Sequence, residues 1–157
     1  MGFAGLLLSG GADANMPNHA GKTPLHCAVA KGFQYLSLEL IGAGARLDLA
    51  TPQGDQPLHI AARLGDLAMI EALLKAGASI GAINNTGYTP LHEAAAAGHT
   101  EAAQLMIESG RIGHHERRVL LPRVRRAAQL HGHTSTATAI LAAEGREQRA
   151  EPPREMA

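Results

Sequence analysis

The chain has 157 residues, enough for one domain or a short array of repeated units. Hydrophobic residues at 45% and charged residues at 18% exclude a disordered chain, while 3% aromatics and no Trp exclude a core built on large rings. Net charge is zero but uneven: residues 1–110 carry five Lys/Arg against nine Asp/Glu, and residues 111–157 carry nine Arg against five Glu.

The opening MGFAGLLLSGG lacks a basic segment, and its apolar run is too short for a signal peptide. Leu6 stands where myristoylation needs Ser or Thr, and no apolar stretch is long enough to span a bilayer. The single cysteine, Cys27, can form neither an internal disulfide nor a Cys-based zinc site alone. An intracellular, cytoplasmic protein is the expectation, with a nuclear or secreted-effector role left open.

Residues 6–15, LLLSGGADAN, predict the end of a helix, a glycine stop and a loop. From Gly21 a fuller unit begins. Thr23 suits an N-cap, because its hydroxyl can accept from an unpaired backbone N–H. Pro24 occupies the first turn, where a missing N–H costs nothing. A short helix follows and stops at Gly32, which can adopt the left-handed cap conformation. A second helix runs through the apolar pair Leu40-Ile41 to Gly44, and a turn-rich, hairpin-like stretch closes the unit. The order then repeats: TPLH at 23–26, QPLH at 56–59 and TPLH at 89–92 step by 33, as do Gly32, Gly65 and Gly98. Gln56 replaces the capping Thr in the middle unit. None of these units could bury its apolar face alone, so they must stack.

The pattern G-x-TPLH-x-AA-x-x-G-H, followed by x-LL-x-x-GAD-x-N, resembles the ankyrin repeat. The resemblance implies an all-α solenoid of stacked helix-turn-helix units with hairpin-like connecting loops. Expected boundaries are an incomplete N-terminal repeat at 1–20, repeats at 21–53, 54–86 and 87–110, a degenerate capping repeat at 111–145 and a disordered tail at 146–157. The N-terminal unit has only its second helix, so Leu6, Leu7 and Leu8 are expected to be partly unsheltered and to fray. The incomplete unit also leaves open a regulatory or targeting fragment of a larger protein.

The C-terminal assignment rests on register. Apolar pairs at Leu7-Leu8, Leu40-Ile41, Leu73-Leu74 and Met106-Ile107 are followed by Ile140-Leu141 after 34 residues, and Gly132 follows Gly98 by the same step. Pro122 is expected to open the first helix of this unit. Val124, Ala127, Ala128 and His131 should face inward, with Arg125, Arg126 and Gln129 outward. An end unit needs a polar outer face, since nothing stacks beyond it. Against this stands a basic arm: residues 111–126 hold six arginines and Glu116. Arg117, Arg118, Arg123, Arg125 and Arg126 would then grip nucleic acid or an anionic surface, although no aromatics are present to stack on bases.

Nine histidines invite a catalytic or metal reading. His26, His59 and His92 recur in every tetrapeptide, and the resemblance implies that they hydrogen-bond within and between loops; His99 reads the same way. His114, His115, His131 and His133 lack a Cys or carboxylate at ligand spacing, so no metal or other cofactor is expected. Catalytic signatures are absent, and adjacent His26 and Cys27 point apart on a helix. The resemblance therefore implies a non-catalytic module that binds another protein on its concave surface. The candidate contacts are His19, Lys22, Pro52, Gln53, Asp55, Asn85, Thr86 and Tyr88 at loop tips, with Lys31, Arg63, Leu64, Ala96 and Ala97 on first helices. Tyr88 with Arg63 is a candidate hot spot, unless Tyr88 packs on a neighbouring loop.

Overall fold

The computed structural model describes residues 3–150. Nine helices and no strand occur among them: α1 (Phe3–Ser9), α2 (Pro24–Ala30), α3 (Gln34–Gly42), α4 (Pro57–Leu64), α5 (Leu67–Lys75), α6 (Pro90–Ala96), α7 (Thr100–Glu108), α8 (His114–Leu130) and α9 (Thr134–Ala150). Thr23 and Thr89 cap α2 and α6 through their hydroxyls, and proline stands in the first turn of α2, α4 and α6. At α4 the capping side chain differs. Gln56 Nε2 donates to the Asp48 carbonyl at 3.1 Å, and its Oε1 is buried without a partner.

The helices form two rows. In the first, α2, α4, α6 and α8 pack in succession; in the second, α1, α3, α5, α7 and α9 do the same. The short Ala-rich helices make this possible: Ala28, Ala61, Ala94 and Ala128 are buried along the first row, with Leu25, Leu58 and Leu91 beside them. Leu40, Leu73, Met106 and Ile140 fill the second. Each fully buried leucine contributes about 1.5–3 kcal/mol of burial free energy. The core is a continuous stripe between the rows.

Three loop tips have one geometry. The N–H groups of Asn18, Thr51 and Asn84 donate to the carbonyls of Lys22, Asp55 and Tyr88 at 2.9, 2.9 and 3.0 Å. The fourth tip is replaced by helix. α8 starts at His114, so Pro122 lies inside it rather than opening it. Proline removes one N–H and crowds the carbonyl four residues back. The helix continues nonetheless, because Leu120, Leu121, Val124, Ala127 and Ala128 bury a single apolar stripe across the proline while Pro122 itself stays exposed. His131, expected inside, is an exposed C-cap residue. α9 runs past Gly145 to Ala150, so residues 146–150, expected to be disordered, are helical. The rest of that expected tail, 151–157, and the Leu7 side chain lie outside the described residues, whereas Leu6 is exposed.

Gly98 and Gly132 both end first-row helices with φ near +80°. A Cβ at Gly98 would lie 2.5 Å from the His133 ring, whereas one at Gly132 meets nothing within 4 Å. Gly132→Ala should therefore lose only the left-handed strain of about 1–2 kcal/mol. Gly98→Ala should lose more, because the imidazole must also move. Urea unfolding of the two variants checks the order, and equal losses would contradict it.

Candidate functional site

The recurring histidines form bridges between repeats. In α2, the Thr23 backbone N–H donates to His26 Nδ1 at 3.1 Å, which places the proton on Nε2. Nε2 then donates to the Asp55 carbonyl in the next loop at 3.1 Å. His59 repeats the arrangement, accepting from Gln56 N–H and donating to the Tyr88 carbonyl at 3.0 Å. His92 accepts from Thr89 N–H at 3.3 Å, but α8 supplies no loop carbonyl in the equivalent place among the described residues. Burial holds all three below the ordinary imidazole pKa; for His92 burial, then the Arg123 charge, pushes it down to about 4. His99 reaches the other way, donating from Nε2 to the Arg63 carbonyl at 3.0 Å.

Between α4 and α6 lies a charged network. Arg63 donates to both Glu93 oxygens, at 2.9 and 3.0 Å, and to Asp55 Oδ2 at 2.6 Å. Asn84 Nδ2 donates to Asp55 and Glu93 at 2.9 and 2.8 Å, while its Oδ1 accepts from Thr86 and Tyr88. Burial would raise the Asp55 carboxyl, but the hydrogen bonds from Arg63 and Asn84 outweigh it and hold the group below its usual range.

These contacts sort the candidate residues. Asp55 is not a free tip position; only 6% of it is exposed. Arg63 is half-exposed but tied to two carboxylates. Tyr88 stacks on His92 with ring centroids 5.3 Å apart, so it packs on the start of its own helix rather than projecting freely. His19, Lys31, Pro52, Gln53, Asn85 and Thr86 are exposed, whereas Lys22, Ala96 and Ala97 are half-buried. Pro52 and Gln53 also join loop to loop, their carbonyls accepting from Asn85 at 2.8 and 3.0 Å. Leu64 is 48% exposed on the first row.

Leu130, 74% exposed, also belongs to this surface. The 34-residue glycine step puts it in the place of Ala96, and the cap bonds agree: His99 N–H donates to the Ala94 carbonyl and His133 N–H to that of Ala128. That step was available in the sequence as its signal.

The arginine segment is divided. Arg117 donates to the Ile112 carbonyl at 3.1 Å and to that of Ile107, closing the end of α7. Arg125 pairs with Glu144 of α9 at 3.5 Å. Arg118, Arg123 and Arg126 are exposed. His114, His115, His131 and His133 belong to no group of three potential metal ligands among the described residues, and no described helix is long and apolar enough to cross a membrane.

A family model described as ankyrin repeats (3 copies) matches residues 2–84 and 34–117. The chain belongs to the ankyrin repeat family. No curated protein matches the sequence. Ankyrin repeats are generally protein–protein interaction modules and typically non-catalytic. The family match ends at 117, within α8, where this ankyrin array departs from the regular unit.

The histidine bridges predict a pH dependence. Folded His26, His59 and His92 sit below the ordinary value of 6.5, so the unfolded chain binds more protons as pH falls through that value. Stability is present above about pH 6.5 and is lost on acidification towards the folded values. Thermal unfolding followed by circular dichroism should show Tm falling between about pH 7 and pH 5. A flat profile over that window would contradict neutral, buried imidazoles.

Proposed function

We propose that this ankyrin array is a non-catalytic adaptor or scaffold that binds a partner protein, acting as a monomer in the cytoplasm without a cofactor. The binding surface is the exposed side of the first-helix row, flanked by the loop-tip residues His19, Lys22, Pro52, Gln53, Asn85 and Thr86.

One observation carries the reading. Leu64 and Leu130 are large apolar side chains, 48% and 74% exposed, on the same row of helices. By the repeat steps of 33 and 34, Leu64 stands in the place of Ala97 and Leu130 in that of Ala96, neighbouring positions on the first helix of the intervening repeat. Exposed leucine side chains are apolar surface whose removal from water on contact favours association. Nucleic-acid binding through residues 111–126 has less support, because Arg117 and Arg125 are spent on internal contacts.

Both leucines are exposed, so Leu64→Asp/Leu130→Asp should change the surface while leaving Tm within a few degrees. Affinity capture from nuclease-treated cell lysate with the intact chain and this variant tests the proposal. Proteins retained by the intact chain should be lost from the variant. Retention of the same proteins in equal amounts would overturn it.

A further inference from the structure

We propose that α8 and Leu64 together take an acidic, amphipathic segment of the partner, its carboxylates on Arg123 and Arg126 and its apolar side chains on Val119, Leu130 and Leu64. This deepens, and rests on, the reading that the first-helix row binds protein.

The stripe is set by helical spacing. Val119, Arg123, Arg126 and Leu130 follow one another at intervals of four, three and four, so they share one side of α8. All four are exposed, Val119 at 56%. Arg125 marks a different side, since it pairs with Glu144 of α9. α8 packs on α6, so the stripe belongs to the first row of helices. An arginine pair with an apolar residue at either end thus lies on the same row of helices as Leu64, across α6 from it.

Charge complementarity names the occupant. The helices of the first row hold six arginines, Arg63 and five in α8, against Glu93 and Glu116, a net of +4. Those of the second hold Lys75, Arg146 and Arg149 against Glu39, Glu71, Glu101, Glu108, Glu144 and Glu147, a net of −3. The charge asymmetry seen along the sequence is therefore also an asymmetry between rows. Asp55 and Glu93 are already held by Arg63, leaving Glu116 as the carboxylate that α8 itself contributes. Guanidinium groups at Arg123 and Arg126 suit carboxylates, which they can bind in paired hydrogen bonds. A phosphate backbone would meet the arginines but leave Val119, Leu130 and Leu64 uncovered. An acidic segment with apolar residues at helical spacing covers both kinds of group.

Random peptides displayed on phage, selected on the intact chain and on the Arg123→Glu/Arg126→Glu variant, test this. Both side chains are exposed, and circular dichroism establishes that the variant folds. The intact chain should enrich peptides of net negative charge with apolar residues every three or four positions. Synthesised winners should bind the variant about ten-fold or more weakly, and should weaken on the intact chain as salt rises. Enrichment without acidic bias, no enrichment, or winners that bind the variant equally well would overturn the inference. So would a DNA or RNA oligonucleotide that outcompetes the winners on the intact chain. If Leu64→Asp/Leu130→Asp abolishes lysate capture while Arg123→Glu/Arg126→Glu leaves it intact, protein binding stands and the acidic partner alone falls.

Discussion

A buried imidazole that serves two repeats at once is the contact on which this array depends. Nδ1 of His26 or His59 completes the start of its own helix, and Nε2–H reaches a carbonyl in the loop of the next unit. One side chain thus fixes a helix terminus, a loop tip and the step between neighbours. A neutral ring is required, because an imidazolium could not accept at Nδ1. The Asp55 loop shows how far the consequence extends. Its carbonyl receives His26, and its carboxylate receives Arg63 and Asn84, which bring Glu93 into the same cluster.

The bridge also shows where the regular array ends. His92 has its N-terminal partner, but the segment beyond it is the long helix α8 rather than a loop tip. α8 covers α6 on one side and α9 on another, and Arg117 reaches back to the Ile107 carbonyl near the end of α7 and to the Ile112 carbonyl in the linker. A charge-rich segment is thereby part of the packed structure. Two of its arginines stabilise the fold, while Arg123 and Arg126 face solvent beside Val119 and Leu130. Architecture and surface chemistry meet in the same helix, since the apolar stripe that closes the core leaves Val119, Arg123, Arg126 and Leu130 exposed on another side.

Most of the fold was legible because its chemistry is local and repeated. Thr23 and Pro24 mark a helix start, Gly32 marks its stop, and the step of 33 carries both signals through the next units. α8 was misread because two local rules compete. Pro122 signals a helix start, yet Leu120, Leu121, Val124 and Ala128 have helical spacing across it, and their burial prevails. The surface was less legible. Asp55 reads as a loop-tip residue until Arg63, from the following helix, turns back onto it. Tyr88 reads as an anchor until its ring stacks on His92. In both cases a side chain of the following helix covers a residue that its loop-tip position alone would leave exposed.

The most direct test is amide hydrogen exchange across residues 114–130 of the intact chain. A continuous α8 predicts slow exchange from Arg118 onward on both sides of Pro122, comparable with α6, because those amides are bonded within a helix packed on α6 and α9. Exchange at unstructured-chain rates up to Pro122, with protection only beyond it, would contradict that structure and return the arginine segment to a flexible arm.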